Sequence, residues 1–144
     1  MIVTYPNPIL SKIAEKITNP TSPEIKNLIS EMLESLKKHN GLGIAAPQIG
    51  QSLSLCLIRL DGKTHILINP KITKKSWRKV VGEEGCLSFP GIFVPVKRHL
   101  KVTVKALDEK GSPIKLKGEG LLARAFQHEI DHLNGITIEE RKLK

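Results

Sequence analysis

The pattern of apolar and polar positions first predicts an amphipathic helix near the N-terminus. Apolar residues recur at helical spacing from Ile25 to Leu36, and charged residues fall between them. Thr21 and Ser22 precede Pro23, which is a typical helix start because Ser or Thr caps the N-terminus and proline suits the first turn. We therefore expect a helix over about 22–39 that ends near Asn40-Gly41.

Apolar segments, turn signals and alternation predict antiparallel strands in the middle of the chain. Segments 53–60 and 64–69 flank Asp61-Gly62, a strong hairpin signal, and Asn69-Pro70 should end this pair. Segment 100–107 places apolar residues on one face and Lys or Thr on the other, and residues 108–111 turn the chain back.

A second helix is predicted over about 121–133, where Asn134-Gly135 ends it. The order of helix, antiparallel strands and helix favours an α+β fold, with antiparallel or mixed strands around the second helix. No repeat or linker interrupts the chain, so we expect a single domain over 1–144.

The composition predicts a globular protein without a membrane segment. Apolar residues make up 40% of the chain, and no apolar run approaches the roughly 20 residues that span a bilayer. The first residues lack the layout of a signal peptide, so we expect a cytoplasmic protein.

The net charge is +9, from 23 Lys and Arg against 14 Asp and Glu. The basic residues are spread over several regions, and no aromatic residues are expected among them for base stacking. This pattern favours a solvated surface, and no direct nucleic-acid function is expected.

The stretch QHEIDHLNG, 127–135, carries the first candidate chemistry. His128 and His132 are four residues apart on the predicted helix, so both rings leave the same face and can chelate a divalent metal. Two solvated or core histidines are the alternative interpretation. The usual zinc-protease pattern lacks its third ligand, because Ile138 stands where one version has histidine. Only 12 residues follow His132, which leaves no room for another helix that could carry the ligand.

The third ligand should therefore lie upstream. The candidates are His39, His65, His99, Cys56 and Cys86. Cys56 sits inside an apolar strand and should be a buried, inert thiol. Cys86 lies between a glycine and a polar stretch, where a thiolate can reach a metal, and it would complete a Cys-His-His set with one open position.

Two further stretches are rich in small residues. GLGIAAPQIG, 41–50, allows backbone to approach a ligand closely and contains one polar side chain, Gln48. A packed turn explains this stretch equally well, and EEGCLSFPG, 83–91, could be simply a bulged strand.

Taken together and in this order, GLGIAAPQ (41–48), EGCLS (84–88) and HEIDH (128–132) resemble the motifs of the peptide deformylases. The opening YPNPIL and the run LLARAFQHEIDHLNG also resemble that family, so the similarity covers nearly the whole chain. The resemblance implies an α+β hydrolase that removes the formyl group from the N-terminal formyl-methionine of nascent peptides and releases formate.

The resemblance also implies roles for individual residues. Cys86, His128 and His132 would hold one divalent ion, natively Fe(II), with zinc, nickel or cobalt as substitutes. Glu129 would accept the proton of a water molecule and pass it to the leaving amine, while the Gln48 amide and the Leu87 N–H would stabilise the developing oxyanion. The remaining implied residues contact substrate: Leu42, Gly43 and Gly85 through their backbone, and Ile44, Leu121 and Ala125 in the methionine pocket.

Two further charged residues lie near these motifs in the sequence. Asp131 could orient one of the histidines or face solvent, and Arg98 could contact the peptide beyond its first residues. Ile136, Thr137 and Ile138 depart from the usual pattern after the histidine helix, and the chain continues only into a short basic tail. The positive charge suggests contact with the ribosome surface as a hypothesis.

Two other functions remain open from sequence alone. The same scaffold could act as a metal-dependent peptidase or amidase, or the chain could be a non-catalytic, basic ribosome- or RNA-binding module. Comparison of formylated with acetylated peptides separates the first alternative, and metal content separates the second.

Overall fold

The structure is a computed structural model that describes residues 1–144, and its centre is a five-stranded antiparallel sheet with a long helix against each face. The strand order in this sheet is β1-β2-β3-β6-β7, and β4 and β5 form a separate two-stranded sheet. The strands are β1 (Gly43–Ala45), β2 (Leu55–Leu60), β3 (Lys63–Lys75), β4 (Lys79–Cys86), β5 (Phe89–His99), β6 (Lys101–Leu107) and β7 (Pro113–Glu119). The helices are α1 (Pro23–Lys38), α2 (Leu121–Leu133) and α3 (Ile138–Arg141). The α+β prediction is confirmed.

The predicted N-terminal helix is α1, and its start follows the expected chemistry. Ser22 caps it, since its Oγ accepts a hydrogen bond from the Ile25 N–H at 3.3 Å, and Pro23 occupies the first helical position. The apolar stripe of α1 packs on β1 and β2 in a buried cluster with Ile44, Leu55 and Leu57.

The two predicted hairpins are present, with one difference in length. The β2–β3 ladder ends at the Leu55–Ile68 pair, next to Asn69-Pro70 as expected. The strand itself does not end there, because β3 continues to Lys75 and pairs with β6 after a register shift. Asn69 has a φ of 52°, so the backbone twists at this point and β3 changes its partner.

Alternation did not predict the β4–β5 hairpin. Prolines and glycines interrupt its sequence, and most of its side chains are exposed, so the period of two is weak. Its register shifts between Gly85 and Cys86, which agrees with the bulged-strand interpretation of EEGCLSFPG. This bulge places Cys86 at the end of β4.

The histidine helix α2 is buried on nearly all sides. Phe126 and Ile130 pack against the inward residues of β6, including Val102 and Val104, in the main apolar cluster. None of the helices is both long and apolar enough to cross a bilayer.

The expectation that no helix follows α2 is wrong, because residues 138–141 form the single-turn helix α3. Thr137 caps it and Glu140 bonds back to the Thr137 N–H at 2.7 Å, which is a capping box. The Leu143 N–H then donates to the Pro95 carbonyl at 2.9 Å and fixes the tail on β5. This helix brings no ligand to the histidines, and the third member of their cluster, Cys86, lies upstream as expected.

Six lysines occupy the outer face of the sheet beyond the area that α1 covers. Lys105 lies directly between Lys71 on β3 and Lys115 on β7, and side chains opposite each other in register share a face. We call this surface the lysine face; it comprises Lys71, Lys74, Lys101, Lys105, Lys115 and Lys117, all exposed. The only acidic strand residue on it is Glu119, which pairs with Lys101 at 3.5 Å.

We predict that Lys105→Thr stabilises the free protein by a few tenths of a kcal/mol, because like charges directly opposite each other are unfavourable and threonine suits a strand. Urea unfolding at low ionic strength measures the change. Lys101→Thr is the matched control on the same strand: it removes a favourable pair with Glu119, so it should gain less or lose stability. An equal gain in both variants would contradict the repulsion.

Candidate metal centre and active site

Two elements bring together the three predicted metal ligands. Cys86 ends β4, and His128 and His132 lie one turn apart on α2. The ligand atoms of the three residues all lie within 4.8 Å of one another. The Cys86 Sγ is 3.3 Å from the His132 Nε2, so the cluster is assembled by the fold itself.

A carboxylate that sequence reasoning missed orients one of these histidines. The Glu84 Oε1 lies 2.8 Å from the His128 Nδ1, so the His128 Nε2 is left for a metal. Arg98 donates two hydrogen bonds to the same carboxylate at 2.8 and 2.9 Å, and Arg124 donates a third at 2.6 Å. Burial alone would raise the pKa of Glu84, but the bonds from Arg98 and His128 outweigh burial and lower that pKa well below its usual range.

The interpretations of Arg98 and Asp131 are both corrected. Arg98 is only 5% exposed and is enclosed between Glu84 and Asp131, so it is not placed to contact a peptide. Asp131 is buried rather than solvent-facing, and it bonds to Arg98 and Arg141 rather than to a histidine. Neither residue lines the cavity: Arg98 holds the Glu84 carboxylate, and Asp131 holds Arg98.

Glu129 is the other buried acid beside the ligands. It is 4% exposed, its Oε2 is 3.9 Å from the His128 Nε2, and its Oε1 has no hydrogen-bond partner. Burial raises the pKa of Glu129 to about 7, which is the range that suits a group that must both take and release a proton at neutral pH. An unpaired buried carboxylate oxygen is costly, so a functional ligand for it is expected.

The glycine at position 43 allows this carboxylate to lie against the β1 backbone. A Cβ added to Gly43 would be 2.5 Å from the Glu129 Oε2, which is too close for any side chain. The absence of a side chain therefore sets the position of Glu129.

The side chain of Gln48, the only polar one in GLGIAAPQIG (41–50), is held in an orientation that faces the metal ligands. Its Oε1 accepts from the Ala45 N–H at 2.9 Å, which fixes the orientation of the amide. Its Nε2 then lies 3.4 Å from the Cys86 Sγ and 3.2 Å from the Ser88 Oγ. Ser88 in turn donates to the Val3 carbonyl at 2.7 Å.

The donor set fits a divalent transition metal. One thiol and two imidazoles are typical ligands of such ions, and three protein ligands leave a position open. Burial lowers the pKa of His132 well below its usual range, which favours the neutral ring that binds metal. Burial would also lower the pKa of His128, but the charge of Glu129 and the hydrogen bonds with Cys86 and Glu84 outweigh burial and raise that pKa well above the usual value. The cluster thus attracts positive charge.

The site lies at the bottom of a cavity of about 570 Å³, a size common for ligand pockets. The predicted residues that line it are Leu42, Gly43, Gln48, Gly85, Cys86, Leu87, Leu121, Ala125, His128 and Glu129. The prediction that Ile44 lines the methionine pocket is wrong. Ile44 is fully buried in the cluster under α1, and its side chain points away from the cavity because side chains alternate along β1.

The other candidate ligands are elsewhere. His39 lines the cavity but does not belong to the ligand cluster, and His99 bonds through its Nδ1 to the Ser76 carbonyl. His65 lies beside Phe126, with ring centroids 6.0 Å apart, and does not belong to the ligand cluster. Cys56 is fully buried and free, with its thiol pKa raised by burial, as expected of an inert thiol.

Comparison with known proteins agrees with this geometry. The family model described as polypeptide deformylase matches residues 1–143. The peptide deformylase of Aquifex aeolicus is 47% identical, over 97% of this chain and 85% of that protein. That of Dictyoglomus turgidum is 42% identical, over 96% of this chain and 89% of its own length.

Solved structures give the same result for the fold. The peptide deformylase of Thermotoga maritima superposes with a TM-score of 0.97 at 37% identity, and the match covers 100% of this chain and 97% of that one. The enzyme of Legionella pneumophila gives 0.95 at 40% identity, over 99% and 85% of the two chains. The motifs, the fold and the full-length similarity agree, and the chain belongs to the peptide deformylase family.

Proposed function

We propose that this protein hydrolyses the formyl amide at the N-terminal methionine of nascent peptides and releases formate. The observation that carries the proposal is the position of Glu129: a buried carboxylate with one unpaired oxygen, beside a Cys-His-His cluster at the bottom of a peptide-sized cavity. Metal-assisted amide hydrolysis needs a proton acceptor, a set of metal ligands and a site that can hold the amide.

Cys86, His128 and His132 would hold the ion, and we propose Fe(II) as the native one, with zinc, nickel or cobalt able to replace it. When bound, the ion lowers the pKa of a water molecule and polarises the formyl carbonyl. Glu84 keeps the His128 ring in the orientation that leaves its Nε2 free for this purpose.

Glu129 is the proposed general base and acid. Its carboxylate takes a proton from the attacking water and then delivers that proton to the amine of methionine as the C–N bond breaks. Its raised pKa lets it perform both transfers near neutral pH.

The oxygen of the formyl group becomes negative as water adds to its carbon. The Gln48 Nε2 is the proposed side-chain donor to this oxygen, because the amide is already fixed by Ala45 and faces the ligands. The Leu87 N–H is the proposed backbone donor. One such donor is typically worth about 3 kcal/mol in the transition state.

The substrate is proposed to lie as an extended strand between β1 and β4. Leu42, Gly43 and Gly85 line the cavity on opposite sides and would pair with the peptide backbone. Leu121 and Ala125 on α2 are the proposed apolar walls for methionine. Since nascent peptides are the substrate, we place the protein in the cytoplasm.

Formate release from a formyl-Met-Ala-Ser peptide by anaerobically purified, metal-loaded protein tests this proposal. The acetylated peptide and a peptide with only internal amide bonds are the controls. Formate from the first substrate alone supports deformylation. Cleavage of internal bonds without formate release would overturn it in favour of a peptidase.

We predict that Glu129→Gln lowers kcat by at least about 100-fold, because the proton acceptor is lost while the volume is kept. Metal content, measured in the same sample, should be unchanged. Glu83→Gln is the matched control, since Glu83 is an exposed carboxylate that lines the same cavity, and it should leave kcat unchanged. A Glu129→Gln variant with full activity would refute the role.

We predict that Glu84→Gln weakens metal binding about 10- to 100-fold, because a neutral amide holds the His128 ring less firmly. The substitution also removes one of the two carboxylates that pair with Arg98. Competition with a chromogenic chelator measures the affinity. The neighbouring Glu83→Gln variant controls for the loss of one negative charge near the site. Equal metal affinity in folded Glu84→Gln and wild type would contradict the assignment.

We predict that Gly43→Ala lowers kcat while the metal is retained. The new Cβ would collide with the Glu129 carboxylate, which must shift, whereas Cys86 and the histidines are not contacted. Steady-state kinetics and metal analysis check this together. Gly91→Ala is the comparison for backbone strain without a collision, because Gly91 has a φ of 74° and no atom lies within 4 Å of the added Cβ.

A further inference from the structure

The lysine face is a charge arrangement that the proposed chemistry does not use. Lys71, Lys105 and Lys115 form one row across three strands, and Lys74 and Lys117 flank Thr103 in the next row. Directly opposed like charges are unfavourable in a sheet. A bound polyanion would remove this repulsion, because its charges would lie between the ammonium groups.

An exposed aromatic residue lies at the end of the same strands. Trp77, the only tryptophan in the chain, is 98% exposed in the turn between β3 and β4. Lys75 precedes this turn residue by two positions, and Arg78 and Lys79 follow it. The sequence therefore does place an aromatic among basic residues.

The backbone on both sides of Trp77 is fixed. The Ser76 N–H donates to the Lys101 carbonyl at 2.8 Å, and the Lys101 N–H donates to the Ser76 Oγ at 3.0 Å. The Leu100 N–H donates to the Arg78 carbonyl at 3.0 Å. The indole is thus presented to solvent from a hydrogen-bonded turn beside Lys101 of the lysine face.

We propose that the lysine face and Trp77 form a docking surface for single-stranded RNA. The lysines would neutralise phosphates, and Trp77 would stack on an unpaired base. This differs from the expectation of no direct nucleic-acid function, which was based on scattered charges and on the lack of aromatic residues among them. Strand register brings six lysines onto one face, and Trp77 lies among basic residues at the end of the same strands.

Charge and composition favour RNA over an anionic membrane surface. Interfacial membrane binding grows stronger with the apolar area that is buried beside the cations. The lysine face itself contains no large apolar side chain, and Trp77 lies at the end of its strands. The choice of RNA also rests on the proposed function, since nascent peptides emerge from an RNA-rich particle.

The position of the surface allows docking and catalysis together. On β6, Val102 and Val104 face α2, whereas Lys101 and Lys105 face the opposite side of the sheet. RNA on the lysine face would therefore leave the cavity that contains His128 and Glu129 open to a peptide.

Fluorescence of Trp77 tests the proposal directly, because no other tryptophan contributes. The metal-loaded protein is titrated with a short oligouridylate, with an abasic ribose-phosphate chain of the same length, and with vesicles that contain anionic lipid. We expect quenching by the oligouridylate and none by the abasic chain. A tighter association with vesicles, with a blue-shifted emission, would overturn the proposal in favour of a membrane surface.

Binding of fluorescently labelled oligouridylate then identifies the residues. Lys71→Ala/Lys105→Ala/Lys115→Ala should reduce the slope of log K against log salt concentration by about 2, as expected for three phosphate contacts on a single strand. Trp77→Ala should weaken binding by about tenfold or more. Lys26→Ala/Lys37→Ala/Lys38→Ala removes the same charge from exposed positions of α1 and should have little effect.

Equal weakening by both triple variants, or equal binding of the abasic chain, would overturn the proposed surface. Formate release from the free peptide is measured on the same variants and should be unchanged. Failure of the proposed function would appear as absent formate in the wild type, and failure of this inference as absent base-dependent quenching, so the two results are distinguishable.

Discussion

The buried carboxylate of Glu84 is the interaction on which the site depends. It accepts hydrogen bonds from Arg98 on β5 and Arg124 on α2, and it holds the His128 ring. One side chain therefore ties the small sheet, which supplies Cys86, to the helix that supplies both histidines. Loss of one partner of a buried ion pair costs about 3–5 kcal/mol, so the ligand geometry is linked to the stability of this junction. Asp131 extends the network to Arg141, and the C-terminal turn is bonded to the same support.

Periodicity was sufficient to predict the elements that bury one regular face. The helices α1 and α2 and the hairpins around Asp61-Gly62 and 108–111 follow from spacing and turn chemistry alone. The β4–β5 hairpin could not be found in this way, because both faces are largely exposed and glycine and proline interrupt it. The ligands were predictable, since a metal needs particular atoms and few residues provide them. The supports were not predictable, because nothing local distinguishes Glu84 from Glu83; only the alternation along β4 buries one and exposes the other.

Two of the errors concern charged residues that the fold buries. Arg98 was predicted as a possible peptide contact, and Asp131 was predicted either to orient a histidine or to face solvent, as charged residues usually do. In the structure they neutralise each other through long-range contacts between β5 and α2, which local sequence cannot reveal. The resemblance implied that Ile44 lines the methionine pocket. Adjacent strand residues face opposite sides of the sheet, so Ile44 is buried under α1 while its neighbour Gly43 lines the cavity.

The two faces of the five-stranded sheet have different roles. The inner face packs on α2 and fixes the position of His128, His132 and Glu129. On the outer face, α1 covers β1 and β2, and the lysine face begins where that cover ends. Cross-strand register, rather than composition, concentrates positive charge there, because a net charge of +9 could equally be spread over the whole surface. Lysines that lie opposite each other without acidic partners lower the stability of the sheet. A polyanion bound to the lysine face during function would offset this repulsion.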